Sequence, residues 1–193
     1  MYKHVTSVYR AAYYPRKNIQ CLKALLTQET LVTVVCAFVN SRIDYCNSLL
    51  YGISDYNINR LQRIKNSAAR MVTNTRKYYY ITSIIQKLHW LPDGQRIHFK
   101  NLLRTYKSIN DVVPEYLCKL MSIRKSSRKL RSSSLILLQV AVFRLKSYGD
   151  CAFSAAATTL RNKLPVDIRN VSYLEMFKYI LKTHLFKIAF IVR

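Results

Sequence analysis

Leu88-His89-Trp90-Leu91-Pro92-Asp93 is the stretch from which the rest of the chain is parsed. Trp90 is the single tryptophan and stands two residues before a proline. A proline disfavours helix in the residue before it but suits the first turn of a new one. The sequence therefore predicts a helix end near Leu88 and a new helix from about Pro92. Asp93 puts negative charge at that N-terminus, where the helix dipole favours it. Beyond it Phe99, Leu102, Leu103, Tyr106 and Ile109 recur at three- and four-residue spacing, so they share one face of a helix. Arg96, Lys100, Arg104 and Lys107 fall on the neighbouring face with no acid among them. Like charges four apart cost a helix roughly a few tenths of a kcal/mol per pair. A face built this way suits a polyanion, while its plain alternative is a solvated basic surface.

Outward from this helix the same bias recurs. The 193 residues carry 32 Lys+Arg against 9 Asp+Glu, a formal charge of +23, which raises affinity for nucleic acid or an anionic surface. Half the residues are hydrophobic, enough for a core, and 3 Gly with 4 Pro point to helices with few breaks. Upstream, residues 1–26 read as one or two helices interrupted near Pro15, with Val5, Val8 and Ala12 inward and Arg10, Arg16, Lys17 and Lys23 supplying charge. Thr27 is a weak helix start. Leu31 to Val39 is apolar almost all round, a buried helix or a buried strand, with helix favoured. Gly52 ends this region and Asp55 is placed as the next N-cap. Ile58, Leu61, Ile64, Ala68, Met71 and Val72 form a core arc, with Arg63 and Arg70 on another side, and Arg76 and Lys77 extend the basic run.

Downstream, Pro114 opens a short helix. Arg124, Lys125, Arg128, Lys129 and Arg131, spaced by serines, form a basic linker, and Leu135 to Val142 is compatible with a small hairpin or extended arm. Asp150 is placed as the cap of an Ala-rich helix, and a last helix follows Ser172 with His184 in its apolar arc. The expected fold is mainly α: a helical bundle over 1–121, a basic linker or hairpin over 122–148, and a helical region over 149–193.

No paired-acid motif, Gly-rich phosphate loop or Cys-x-x-Cys occurs, so neither catalysis, a metal nor a cofactor is expected. Asp44 and Asp55 are expected as surface or capping acids. The five cysteines read as small apolar residues of a reducing compartment. No spanning segment or signal peptide is expected, which points to an intracellular protein, nuclear or cytoplasmic, away from the membrane. Tyr13, Tyr14, Tyr78, Tyr79 and Tyr80 lie beside basic clusters and are the candidates for stacking on bases.

Several blocks in order resemble one family. They are Ser41-Arg42-Ile43-Asp44-Tyr45-Cys46-Asn47-Ser48-Leu49-Leu50-Tyr51-Gly52, Arg60 to Arg70, Leu88 to Pro92, Tyr148-Gly149-Asp150 with Ala152-Phe153-Ser154, Asn162, Leu164-Pro165, and Leu181 to Phe186. Together they are similar to the C-terminal region of reverse transcriptases from jockey-like LINE (non-LTR) retrotransposons. The resemblance implies a thumb-like helical segment that grips RNA or DNA, and it implies that fingers, palm and endonuclease are lacking. No catalytic residue carries over. The chain departs from the family at Arg161, where Trp is usual, at Cys151, where Arg is usual, and at Thr158 and Ala141, where Pro is usual. The resemblance therefore implies poorer packing around Arg161. Two readings follow: a non-catalytic nucleic-acid-binding remnant, with RNA or DNA backbone and other retroelement chains as partners, or an orphaned structural module without a ligand.

Overall fold

The computed structural model describes residues 2–124, 137–141, 149 and 151–191. It is mostly helical, as the patterning predicts. The chain forms two compact units, Met1–Arg96 with Ile188–Arg193, and Ile97–Lys187. The boundary expected near residue 122 thus lies inside the second unit.

In the first unit, helix α1 (Tyr2–Leu22) packs along α4 (Asp55–Val72) and beside a helical rod, Gln28–Asp44. Val5, Val8, Ala12 and Ile19 are the buried row of α1. The helix runs through Pro15 without the expected interruption. A mid-helix proline costs roughly 3 kcal/mol because it removes one bond and crowds the preceding turn. Here the buried apolar row on both sides of Pro15 holds the helix together.

The rod comprises α2 (Gln28–Val35), a π-helical turn (Cys36–Asn40) and α3 (Ser41–Asp44). Thr27 caps it, its hydroxyl accepting from the Thr30 N–H at 3.3 Å. Burial is confined to Leu31, Val35, Val39 and Ile43, whereas Phe38 is exposed, so the segment is not a wholly buried helix. Those four residues are four apart. A regular α-helix would wind such a row around its surface, and the wider π turn keeps it on one side.

In α4 the buried residues are Leu61, Ile64, Lys65, Ala68, Ala69, Met71 and Val72. The predicted arc is there, with Ile58 only half-buried and Lys65 added. Ser54, not Asp55, occupies the N-cap position. Lys65 is 3 % exposed and donates from Nζ to Asp93 Oδ1 at 2.8 Å and to the Leu91 carbonyl at 2.6 Å. Asp93 is equally buried, and its N–H donates to Gln62 Oε1 at 2.8 Å. The block predicted to break and restart a helix is thereby anchored to α4. Helix α5 (Ile81–Lys87) ends just before it, with His89 at φ 53°. The N–H groups of His89 and Trp90 close that end on the carbonyls of Gln86 and Ile85.

Helix α6 (Asp93–Ile109) begins at the anchor, and Ile97 onward belongs to the second unit. Its buried residues include Ile97, Asn101, Leu102, Thr105, Tyr106 and Ser108, with Phe99, Leu103 and Ile109 half-buried. The buried arc is rotated from the expected apolar face toward small polar residues. These can be buried because each bonds back one turn: Asn101 Nδ2 to the Ile97 carbonyl (3.2 Å), Thr105 Oγ1 to that of Asn101 (2.8 Å), Ser108 Oγ to that of Arg104 (3.0 Å).

The second unit continues with α7 (Glu115–Cys118), α8 (Phe153–Asn162), α9 (Val166–Arg169) and α10 (Leu174–Phe190, whose last residues belong to the first unit). Tyr106 stacks on Phe177 with ring centroids 4.2 Å apart, and its hydroxyl donates to the Ser172 carbonyl at 2.6 Å. Among the described residues the β pairing is one antiparallel bridge, Ile123 with Leu138. The Asn162 side-chain amide grips Leu138 at both backbone groups, 3.0 and 2.8 Å. Ala152 is the N-cap of α8, and Asp150 lies outside the described residues. Arg161 is 8 % exposed, so its position is a core position. His184 is half-buried.

Two outcomes follow for stability. Lys65→Met leaves the Asp93 carboxylate buried without its partner and should cost about 3–5 kcal/mol in urea unfolding, most of it recovered in Lys65→Met/Asp93→Leu. An additive double variant would refute the coupling. Cys46 sits at φ 54°, a left-handed conformation that costs a residue with a Cβ about 1–2 kcal/mol. Cys46→Gly should therefore raise the urea midpoint, by roughly 1 kcal/mol of stability.

Candidate nucleic-acid interface

The basic face of α6 stands opposite its buried arc. Arg104 is exposed, and Lys100 and Lys107 are half-buried with no carboxylate partner among the described residues. Arg96 differs from them. Its Nε and Nη2 donate to the two oxygens of Asp44, a forked ion pair with side chains 33 % and 15 % exposed. Asn47 Nδ2 adds a bond to Asp44 Oδ1 at 3.3 Å. Burial alone lowers the Arg96 pKa, but the hydrogen bond and charge of Asp44, with the charge of Asp93, carry it above its ordinary value. Arg96, expected among the phosphate contacts, is thus committed to holding α3. Asp44 is half-buried and bonded, and Asp55 is an exposed first-turn acid of α4.

On α4, Arg63 is exposed, while Arg70 is half-buried and donates from Nη2 to the Tyr79 carbonyl at 3.4 Å. That bond sets the Tyr78-Tyr79-Tyr80 run beside Arg70. The three rings are exposed, Tyr78 to 92 %, and Arg76 and Lys77 next to them are exposed too. Tyr13 and Tyr14 are arranged differently. Tyr13 stacks on Tyr9 (6.2 Å, 11°), meets Tyr14 edge-on (6.1 Å), and lies under the Arg16 guanidinium at 5.5 Å. The ring of Tyr13 is engaged within the protein, which removes it from the stacking candidates. Arg60 likewise lies over Tyr2 and Tyr9 at 5.1 and 5.5 Å and donates to Thr6 Oγ1. Contacts of this kind are worth roughly 0.5–1 kcal/mol each at exposed sites.

In the second unit Arg124 is exposed, its N–H bonded to the Leu137 carbonyl. Lys125, Arg128, Lys129 and Arg131, and most of the expected hairpin, lie outside the described residues.

Sequence patterning had not grouped Arg16 and Lys23 of the first helical region with Arg70. All three line one cleft with Ser67, Asn74 and Thr75. The available signal was spacing: Arg16, Gln20 and Lys23 on one side of the helical path, and Ser67, Arg70 and Asn74 on another.

No group of three His, Cys, Asp or Glu side chains is gathered among the described residues to hold a metal. All five cysteines are free thiols, Cys21 exposed and the other four half-buried. No helix among the described residues is long and apolar enough to cross a membrane. No protein-family model, curated protein or solved structure matches the chain.

Burial, then the positive charge of Lys163, lowers the pKa of His98; burial, then Lys187, lowers that of His184. An unfolded imidazole takes its proton near pH ~6.5, before either folded one does. The stability is therefore full above that value and is lost as pH falls through it toward the folded pKa. Urea midpoints should drop between pH 7 and pH 5, with a shallower drop in His98→Gln. A slope unchanged by His98→Gln would refute this assignment.

Proposed function

We propose that the chain is a non-catalytic nucleic-acid-binding remnant of a non-LTR retrotransposon RNA-directed DNA polymerase. It grips RNA or DNA backbone through its basic helix faces. The reading is supported first by the cations that meet no carboxylate. Lys100 and Lys107 on α6, Arg63 and Arg70 on α4, and Arg76, Lys77 and Arg124 pair with no acid among the described residues. Arg104 adds an exposed guanidinium to the same α6 face. The ordered sequence blocks support the proposed family origin. Phosphate contacts position a protein without reading bases, so sequence preference is low. Tyr78, Tyr79 and Tyr80 provide stacking surfaces beside the cations of α4 and the segment after it. Partners are RNA or DNA and other retroelement chains, in an intracellular compartment, nuclear or cytoplasmic; no cofactor and no catalytic residue enters.

A second reading, an orphaned structural module, is favoured by one observation. Leu22, Leu25, Phe38 and Leu49 of the first unit are large apolar residues exposed by half or more, Leu25 to 82 %. Such residues suit burial against a partner chain.

Fluorescence anisotropy with labelled single-stranded RNA and duplex DNA separates the two. With several phosphates contacted, affinity should fall by about 10³-fold or more between 50 and 200 mM salt. Lys100→Ala/Arg104→Ala/Lys107→Ala should weaken binding and flatten the salt slope, whereas Arg96→Ala should chiefly lower stability. Binding that ignores salt, or a triple variant that binds like the parent, overturns the electrostatic grip and leaves the structural module.

A further inference from the structure

Between α1 and the C-terminal half of α4 lies a cleft of about 250 Å³. Three cations reach it: Arg16 and Lys23 from α1 and the turn after it, and Arg70 from α4. Their hydrogen bonds go to neutral acceptors. Arg16 donates from Nη1 to Ser67 Oγ and from Nη2 to Gln20 Oε1 at 3.0 Å. Lys23 Nζ donates to Asn74 Oδ1 at 2.7 Å, and Arg70 Nη2 to the Tyr79 carbonyl. No carboxylate pairs with any of the three among the described residues.

Two further donors are left over. The Nε groups of Arg16 and Arg70 are both buried and both lack a protein partner. A buried N–H without an acceptor is costly, more so when it belongs to a charged group. Three like charges in one cleft repel as well. Where Lys65 and Arg96 are buried or half-buried elsewhere in this unit, each is met by an aspartate. The enclosed Nε groups are out of reach of a ligand. The Nη and Nζ groups lining the cleft carry three charges that no acid of the described residues balances, the charge of a site whose counter-ion comes from outside the chain.

We propose that this cleft binds a dianionic phosphate group, held by the guanidinium forks of Arg16 and Arg70 and by the Lys23 ammonium. Guanidinium forks match phosphate oxygens pairwise, and ammonium acts beside them as a point charge. Ser67, Asn74 and Thr75 supply hydroxyl and amide groups to the rim. A terminal phosphate monoester carries nearly two charges at pH 7 and suits three cations better than an internal phosphodiester with one. This is a discrete site with its own occupant, and it does not require the backbone grip proposed for α6.

The test uses the full chain. Thermal unfolding is followed at constant ionic strength, with inorganic phosphate replacing chloride. The expected result is a saturable rise in Tm that chloride does not give. Arg70→Gln and Lys23→Gln should each weaken the apparent affinity roughly tenfold, the loss of about one charge-assisted contact. Lys182→Gln, at an exposed position on α10, should respond like the parent. The Lys23–Asn74 bond is exposed to solvent, so the Lys23 variant should keep the parent's Tm in chloride. A second arm compares a 5′-phosphorylated oligonucleotide with the same oligonucleotide lacking that phosphate. Tighter binding of the phosphorylated form, lost in Lys23→Gln, assigns the occupant to a nucleic-acid end; a response to inorganic phosphate alone assigns it to the free ion. Lys23→Gln and Arg70→Gln titrating like the parent, or no saturable response, overturns the site. Either result leaves the salt dependence of the α6 variants to be read separately.

Discussion

The first unit hangs on one buried ion pair. Lys65 and Asp93 lie in the core with only a lysine ammonium, a carboxylate, a backbone carbonyl and a glutamine between them to settle charge and hydrogen bonds. Removing two ions from water costs several kcal/mol each unless geometry repays it. A pair of apolar residues would hold the helices equally well, so what the ions add is direction. The Lys65 ammonium reaches both the Leu91 carbonyl and Asp93, so α4 can meet this turn in one register only. The ion pair therefore fixes where α6 starts.

That dependence explains which parts of the fold were legible in the sequence. Rows of Leu, Ile, Val and Ala reveal helices directly, because apolar side chains have one preferred environment. Helix breaks were legible at Pro92 and at Pro114, each of which stands immediately before the first residue of a helix rather than in its first turn. Pro15 misled for the complementary reason: local propensity disfavours it, and burial of Val8, Ala12 and Ile19 outweighs the penalty. Lys65, Asn101, Thr105 and Ser108 were not legible as core. Each is polar, and each is buried only because a partner satisfies it, and partnerships are a property of three dimensions. Arg96 was misassigned on the same ground, since Asp44 lies fifty-two positions away.

Several polar residues of the Ser41–Gly52 and Arg60–Arg70 blocks, with Asn162, turn out to have mechanical duties in this chain. Asp44 and Asn47 tie the rod to the start of α6, Gln62 and Lys65 tie α4 to the turn after Trp90, and Asn162 clamps Leu138. These are the jobs of a scaffold. Lys100, Lys107 and Arg63 have no such tie to an acid among the described residues, while the cleft cations hold only neutral acceptors and keep their charge unbalanced. Structure and surface are in this sense divided between two sets of polar residues: one set is consumed internally, and the other remains for a partner.

The π turn at Cys36–Asn40 carries an evolutionary implication. Such a turn is what an α-helix makes of one inserted residue. Taking out Ala37 or Phe38, both exposed, would shift the buried row from 31, 35, 39 and 43 to a four-three-four spacing, the natural stripe of a regular α-helix. Both flanks would keep their faces, and Asp44 would still meet Arg96. A deletion one turn earlier, within α2, would instead rotate everything after it by about 100°. Loss of a single codon is thus tolerable at the π turn and disruptive one turn earlier, within α2.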